Sequence, residues 1–147
     1  MRVYYFRNFI TCLKSLNFYP MKILIVDDER DVEDLFRQKL RKEIRSGMLE
    51  LEFAFSGKEA LDILASENPP KVVYVFSDIN MPGMSGLEML EIIKERFPQI
   101  QVSMISAYGD EANYKKAMDS GAKEFYTKPV NFENLKKEIA SLSTSTF

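Results

Sequence analysis

The segment KILIVDDE, residues 22–29, is the clearest indicator of the fold, because it joins an apolar strand pattern to a pair of acids. Its consecutive apolar residues, 23–26, fit a strand that is buried on both faces, as strands of parallel sheets are. Residues 31–45 then carry apolar side chains at helical spacing, and Gly47 follows as a helix stop. The stretch therefore predicts the first strand and helix of an α/β fold.

The alternation of strand and helix continues to the end of the chain. Strand patterns occupy residues 49–55, 71–76, 101–105 and 124–127, and helix patterns occupy residues 57–67, 87–97, 110–120 and 132–142. The first of these strands alternates apolar and polar side chains, which is typical of a strand at a sheet edge. Five strands alternating with five helices over short connections predict a three-layer α/β sandwich with a mostly parallel sheet.

Composition excludes several classes of function. The chain has 147 residues, of which 46% are hydrophobic, and it fits one globular domain. Its net charge of −2 attracts no polyanion, so we expect no nucleic-acid partner. The single cysteine, Cys12, favours a reducing compartment, the cytoplasm. The absence of histidine excludes Ser-His-Asp triads and HExxH zinc sites, so the chemistry must use carboxylates, lysines, hydroxyls and backbone groups.

The first twenty residues differ in charge from the remainder. They contain Arg2, Arg7 and Lys14 and no acid, which leaves 17 bases and 22 acids in the rest of the chain. Polar residues interrupt every apolar run, so we predict neither a signal peptide nor a membrane span. We predict a dispensable extension or an upstream start codon for residues 1–20, with the functional domain at 21–147. The alternative is contact with a membrane surface or a partner groove.

Ligand sites in open parallel sheets lie beyond the carboxyl ends of the strands. The sequence places Asp27, Asp28, Asp78, Ser106 and Lys128 at those positions. The three carboxylates repel one another, by about 4 kcal/mol for a pair at 4 Å and an effective dielectric near 20, unless a cation or a proton joins them. Because oxygen ligands select hard ions, we predict Mg²⁺, with Mn²⁺ as the alternative and zinc disfavoured.

A metal ion beside a carboxylate, a hydroxyl and a lysine ammonium suits phosphoryl transfer. Asp78 is the best candidate for the nucleophile. The sequence contains neither GxxxxGK[ST] nor GxGxxG, so the phosphoryl donor need not be ATP.

Four motifs occur in a fixed order: ILIVDDE (23–29), SDINMPGMSG (77–86), ISA (105–107) and TKP (127–129). Together they resemble the receiver domain of two-component response regulators, and the resemblance covers residues 21 to about 142. It is closest in kind to single-domain, CheY-like receivers. It implies a flavodoxin-like three-layer sandwich whose five-stranded parallel sheet has the order 2-1-3-4-5, with five helices.

The resemblance implies a role for each acid. Asp78 is implied to accept a phosphoryl group from a histidine kinase or a phosphotransfer protein. The protein would then be a phosphoacceptor that assists its own phosphorylation and dephosphorylation, and not an enzyme. Asp28, Asp78 and the main-chain carbonyl of Asn80 are implied to bind Mg²⁺ directly, and Asp27 through water. Gly86 is implied to allow close packing where a helix begins, but we favour simple turn chemistry as the reason for this glycine.

The resemblance also implies a switch. Lys128 would pair with the phosphoryl oxygens, and the Lys128–Pro129 peptide would be cis. Ser106 would move toward the phosphoryl group, and Phe125 would turn into the vacated space. Because Phe125 has no hydroxyl, we predict that apolar burial alone drives this switch, on the surface of the fourth helix, fifth strand and fifth helix. Residues 121–124 read GAKE where DNA-binding relatives carry GADD, so we expect no dimer through that surface.

Two alternatives stay open. A receiver-like interaction module could act without phosphate through the same fold. An Mg²⁺ phosphohydrolase with an aspartyl-phosphate intermediate is less favoured, because such hydrolases carry a DxDxT-type motif after the first strand. Residues 27–31 read DDERD at that place and contain no threonine.

Overall fold

A computed structural model describes residues 20–66, 72–107 and 111–145 of the chain. The strands within these ranges are β1 (Met21–Val26), β2 (Leu49–Ala54), β3 (Val72–Asp78), β4 (Gln101–Ser106) and β5 (Phe125–Thr127). The helices are α1 (Asp31–Lys39), α2 (Arg41–Arg45), α3 (Gly57–Ala65), α4 (Gly86–Arg96), α5 (Glu111–Asp119) and α6 (Phe132–Ser145). The predicted fourth and fifth helices are therefore α5 and α6.

The five strands form one parallel sheet in the order β2-β1-β3-β4-β5. This order confirms the predicted flavodoxin-like topology, and it places β2 at an edge, as its alternating pattern predicted. The strand ends are in register: Val26 pairs with Ser77, Asp78 with Ile105, and Ser106 with Thr127. The residues that follow β1, β3, β4 and β5 therefore meet at one edge of the sheet.

The core has one layer on each face of the sheet. Ile23 and Ile25 of β1 belong to the layer shared with α1 and α6, whereas Leu24 and Val26 belong to the layer shared with α3, α4 and α5. All four side chains are at most 1% exposed. Because successive strand residues face opposite sides, a strand buried on both faces needs a continuous apolar run. The run at residues 23–26 is explained in this way.

The helix predicted over residues 31–45 is two segments. Its geometry is interrupted at Leu40, where φ is −104° and ψ is 19°. The hydrogen bonds from Leu40 N–H to Phe36 O and from Ile44 N–H to Leu40 O are both 3.0 Å long, so the chain keeps its direction. Leu40 is fully buried, and Ile44 packs against the same cluster. Core packing of Leu40 therefore accompanies the break, and no glycine or proline marks it in the sequence.

The start of α4 packs directly against the end of β3. The Ser85 hydroxyl caps this helix by accepting the Glu88 N–H at 3.2 Å, and the Gly86 N–H donates to Ile79 O at 2.8 Å. A Cβ atom on Gly86 would lie 2.1 Å from the main-chain oxygen of Asp78. Only glycine fits so close to that strand, so the prediction of simple turn chemistry for Gly86 is wrong and close packing explains the residue.

The ranges that the structure describes contain no helix both long enough and apolar enough to cross a membrane. Residues 1–19, with Cys12, lie outside these ranges. The extension proposed for residues 1–20 therefore stays a prediction.

Candidate functional site

The three acids predicted to form a metal site lie together at the carboxyl edge of the sheet. Asp27 and Asp28 follow β1, and Asp78 ends β3. Each offers a carboxylate oxygen, and these oxygens all lie within 4.8 Å of one another. Asp27 and Asp78 are each 6% exposed, whereas Asp28 is exposed. The site is therefore a nearly buried acid pair with a third acid on its solvent side.

Main-chain groups orient the two buried acids. Asp27 Oδ1 accepts the Glu29 N–H at 2.9 Å, and Asp78 Oδ1 accepts the Ile79 N–H at 2.8 Å. The Asp27 N–H donates to Ala54 O at 3.1 Å, which ties the acid to the end of β2. The Oδ2 atom of each acid is directed toward Lys128.

Lys128 supplies a cation to both buried acids. Its Nζ lies 3.3 Å from Asp27 Oδ2 and 3.4 Å from Asp78 Oδ2. The Lys128 N–H donates to Ser106 O at 2.8 Å, and the Lys128–Pro129 peptide is cis, as the resemblance implied. The residue after β5 thus brings an ammonium group to acids that lie fifty or more residues earlier in the chain.

The site carries more negative than positive charge. Burial and the neighbouring Asp27 raise the pKa of Asp78, and Lys128 only partly offsets them. Burial lowers the pKa of Lys128, but Asp78 and Asp27 outweigh it, so the net pKa is above the ordinary value and the lysine is protonated. Three carboxylates and one ammonium leave two negative charges, which matches one divalent cation. The all-oxygen donor set fits a hard ion such as Mg²⁺.

Ser106 and Phe125 occupy neighbouring places on the adjoining strands. Ser106 ends β4 and is buried, and its hydroxyl donates to Ala107 O at 3.0 Å. Phe125 begins β5 and is half-buried against the core layer of α5. Asn80 is exposed two residues after Asp78, where its carbonyl was predicted to bind metal.

Two side chains near the start of β5 make contacts that the sequence did not indicate. Tyr114 of α5 packs edge-on against Phe125, with ring centroids 5.4 Å apart. Lys123, the lysine of the GAKE sequence, lies 2.8 Å from Glu138 of α6. Both contacts join α5 or α6 to the start of β5. A helical pattern alone could not pair these residues, because the pairing depends on how the helices pack on the sheet.

A groove of about 560 Å³ opens beside Lys128, between α1 and the connection from β5 to α6. Its lining is mainly apolar and includes Leu35, Phe36, Val130 and Phe132. Lys39 and Lys136 also line the groove. Glu29 and Glu133 line it as well, so an apolar surface with charged groups of both signs adjoins the acid cluster.

Comparison with known sequences finds similarity to response regulators. The family model "Response regulator receiver domain" matches residues 23–140. The chain is 37% identical over 122 residues to the response regulator protein PilR of Pseudomonas aeruginosa, covering 82% of this chain and 25% of PilR. It is 31% identical to the response regulator MprA of Mycolicibacterium vanbaalenii, covering 86% of this chain and 52% of MprA. The chain spans about a quarter to a half of the length of these relatives.

A third relative is a cyclic di-GMP phosphodiesterase of Thermotoga maritima, 34% identical over 81% of this chain and 30% of that protein. Solved structures agree with the fold. A response regulator receiver domain protein from Clostridium thermocellum has a TM-score of 0.72 and 32% identity, covering 82% of this chain and 92% of that one. The response regulator TrrA of Thermotoga maritima, solved with Mg²⁺ and BeF, has a TM-score of 0.69 and 31% identity, covering 83% and 98%.

Proposed function

Because this chain belongs to the response regulator receiver family, we propose that it accepts a phosphoryl group on Asp78 and signals through a conformational switch. The observation that carries the proposal is the placement of Asp78 inside a cluster of three carboxylates, with the Lys128 ammonium 3.4 Å away. A nucleophilic carboxylate beside a cation and a metal-binding acid pair is what phosphoryl transfer requires. The protein would be a phosphoacceptor and not an enzyme acting on other substrates.

The acids suit Mg²⁺, and Mn²⁺ satisfies the same donor chemistry. We propose that Asp28, Asp78 and the main-chain carbonyl of Asn80 bind the ion directly, and that Asp27 binds it through water. The bound ion would neutralise charge on the phosphoryl oxygens. The TrrA complex with Mg²⁺ and BeF supports the choice of Mg²⁺, since that protein shares the receiver fold and 31% identity.

The proposed transfer exchanges one phosphorus bond for another. A carboxylate oxygen of Asp78 attacks phosphorus in a phosphohistidine of the donor protein, and the phosphorus–nitrogen bond breaks. The imidazole nitrogen keeps the electron pair, and the ring leaves as neutral imidazole because its other nitrogen already carries a proton. Lys128 pairs with the phosphoryl oxygens of the resulting acyl phosphate, while the Ile79 N–H continues to orient the carboxyl group.

The switch would follow from the new acceptor oxygens on Asp78. They draw the Ser106 hydroxyl away from Ala107 O, and Phe125 turns into the space that the serine leaves. The changed surface comprises α5, β5 and α6. Because Phe125 has no hydroxyl, its side chain favours the switched state through apolar burial alone. The output would be partner binding or onward transfer of the phosphoryl group.

We propose the groove beside Lys128 as the place where the phosphodonor docks. Its apolar lining, with Leu35 42% exposed, can cover an apolar helix face of a histidine kinase or phosphotransfer protein. The groove adjoins Asp78, because Asp27 and Lys128 line the groove and Lys128 also contacts Asp78. Such donors act in the cytoplasm, so we propose that location for this chain.

Incubation with a small acyl phosphate tests the proposed function. We expect the intact mass of the wild-type chain to increase by one phosphoryl group with Mg²⁺ and to stay unchanged with a chelator. No gain, together with no Mg²⁺ binding, would contradict the proposal and favour the phosphate-independent module. Steady release of inorganic phosphate from unrelated phosphate esters would instead favour the phosphohydrolase.

The proposed domain organisation is an extension at residues 1–20 followed by a receiver at 21–147 that acts as a single domain. We expect deletion of residues 1–20 to leave the thermal unfolding temperature and the Mg²⁺-dependent mass gain unchanged, because the family match begins at residue 23. Sedimentation of both proteins with acidic lipid vesicles provides the second measurement. Vesicle binding by the full chain alone would contradict the extension hypothesis.

A further inference from the structure

Tyr114 contacts the proposed switch residue from the neighbouring helix. It lies in α5, and its ring meets Phe125 of β5 at an interplanar angle of 80° and a centroid distance of 5.4 Å. This is the edge-to-face geometry that aromatic pairs favour. Tyr114 is itself 52% exposed, so the ring covers Phe125 from the solvent side.

Phe125 lies on the same face of the sheet as Ser106. Met104 pairs with Phe125 in the β4–β5 register, and Met104 and Phe125 share one core layer. Ser106 follows Met104 by two residues, so its side chain points to that same face. A displacement of Ser106 would therefore open space next to Phe125, on the side away from solvent.

We propose that Tyr114 is a positioning residue that holds Phe125 in its half-buried place until Asp78 is phosphorylated. This inference rests on the proposed function. A change of rotamer that moves the Phe125 ring toward Ser106 breaks the edge-on contact with Tyr114. The contact thus stabilises the half-buried position of the Phe125 ring relative to the inward position. It therefore sets the fraction of unphosphorylated molecules in which the ring is turned inward.

The free energy of one edge-to-face pair corresponds to about a two- to tenfold change in an equilibrium constant. Removal of the Tyr114 ring should increase the inward population of Phe125 by that factor. Because coupling is reciprocal, affinity for a phosphoryl mimic should rise by the same factor. Tyr114→Phe keeps the ring and should behave as the wild type.

The experiment uses the full chain with ring-fluorinated phenylalanine, Mg²⁺ and beryllium fluoride. The Phe125 resonance is identified by its loss in a Phe125→Leu variant. We expect beryllium fluoride to shift this resonance in the wild type, and we expect Tyr114→Ala to shift it partway without beryllium fluoride. The apparent dissociation constant for beryllium fluoride should fall about two- to tenfold in Tyr114→Ala. Met48→Ala removes a side chain of similar exposure, 49%, away from this contact and should change neither measurement.

The outcomes separate the two proposals. Wild type that binds no beryllium fluoride would overturn the proposed function and this inference with it. Wild type that binds it, with Tyr114→Ala unchanged in both resonance and affinity, would overturn only the role of Tyr114. Weaker binding by Tyr114→Ala would also overturn that role, because the ring would then stabilise the inward position. Thermal unfolding of each variant checks that the fold is retained.

Discussion

The Asp78→Asn protein is expected to gain no phosphoryl group under conditions in which the wild type gains one. The substitution preserves the size of the side chain and replaces the attacking oxygen by an amide, which cannot form the acyl phosphate. It also removes one negative charge from the buried pair of Asp27 and Asp78. Burial and the charge of Asp27 raise the pKa of Asp78, so the charged form of Asp78 destabilises the folded protein. The free energy of unfolding should therefore stay equal or increase. Intact mass spectrometry and thermal unfolding without metal measure the two effects.

Two further asparagine variants provide the controls. Asp28→Asn keeps the proposed nucleophile but loses a proposed metal ligand, so its mass gain should be slower and should need more Mg²⁺. Asp62→Asn removes an exposed acid of α3 and should match the wild type. A phosphoryl group on Asp78→Asn would show that another residue accepts it, and peptide mapping would identify that residue.

Much of the fold could be predicted from local sequence patterns, because the order of apolar and polar residues in a strand reflects which of its faces are buried. The apolar run of β1 predicted two-sided burial, and the alternation of β2 predicted an edge position; the sheet order confirms the latter. The interruption at Leu40 could not be predicted. Its residue type continues the apolar stripe of the helix, and its departure from helical geometry depends on packing against the core.

The acid cluster was predictable for a geometric reason. Parallel strands end at the same edge, so residues that directly follow them must approach one another whatever their separation in sequence. This reasoning identified Asp27, Asp28, Asp78 and Lys128, which the structure brings together. The contact of Tyr114 with Phe125 is of another kind. It depends on the placement of α5 against β5, which no residue pattern in either element specifies.

Replacement of Gly86 is expected to cause the largest loss of stability. A Cβ atom there would lie 2.1 Å from Asp78 O, 2.9 Å from Ile79 Cα and 2.9 Å from Met104 Cε. Overpacking typically costs about 1–3 kcal/mol and more where neighbours cannot move. Two of these atoms belong to the β3 backbone and its extension, so we expect Gly86→Ala to lower the free energy of unfolding by about 3 kcal/mol or more. The higher helix propensity of alanine offsets at most about 1 kcal/mol of this loss. Denaturant titration measures the difference.

Gly57→Ala is the matched control, because Gly57 also begins a helix directly after a serine cap. The three atoms nearest to its added Cβ would all belong to the flexible Met84 side chain, at 2.9 to 3.1 Å, so the cost should stay below about 1 kcal/mol. Equal stability losses in the two variants would contradict the proposed role of Gly86. Since α4 would be pushed away from Asp78, the proposed phosphoacceptor, Gly86→Ala should also slow the Mg²⁺-dependent mass gain. Gly57→Ala should not, because its Cβ meets a side chain in the loop and leaves the Asp78 backbone in place.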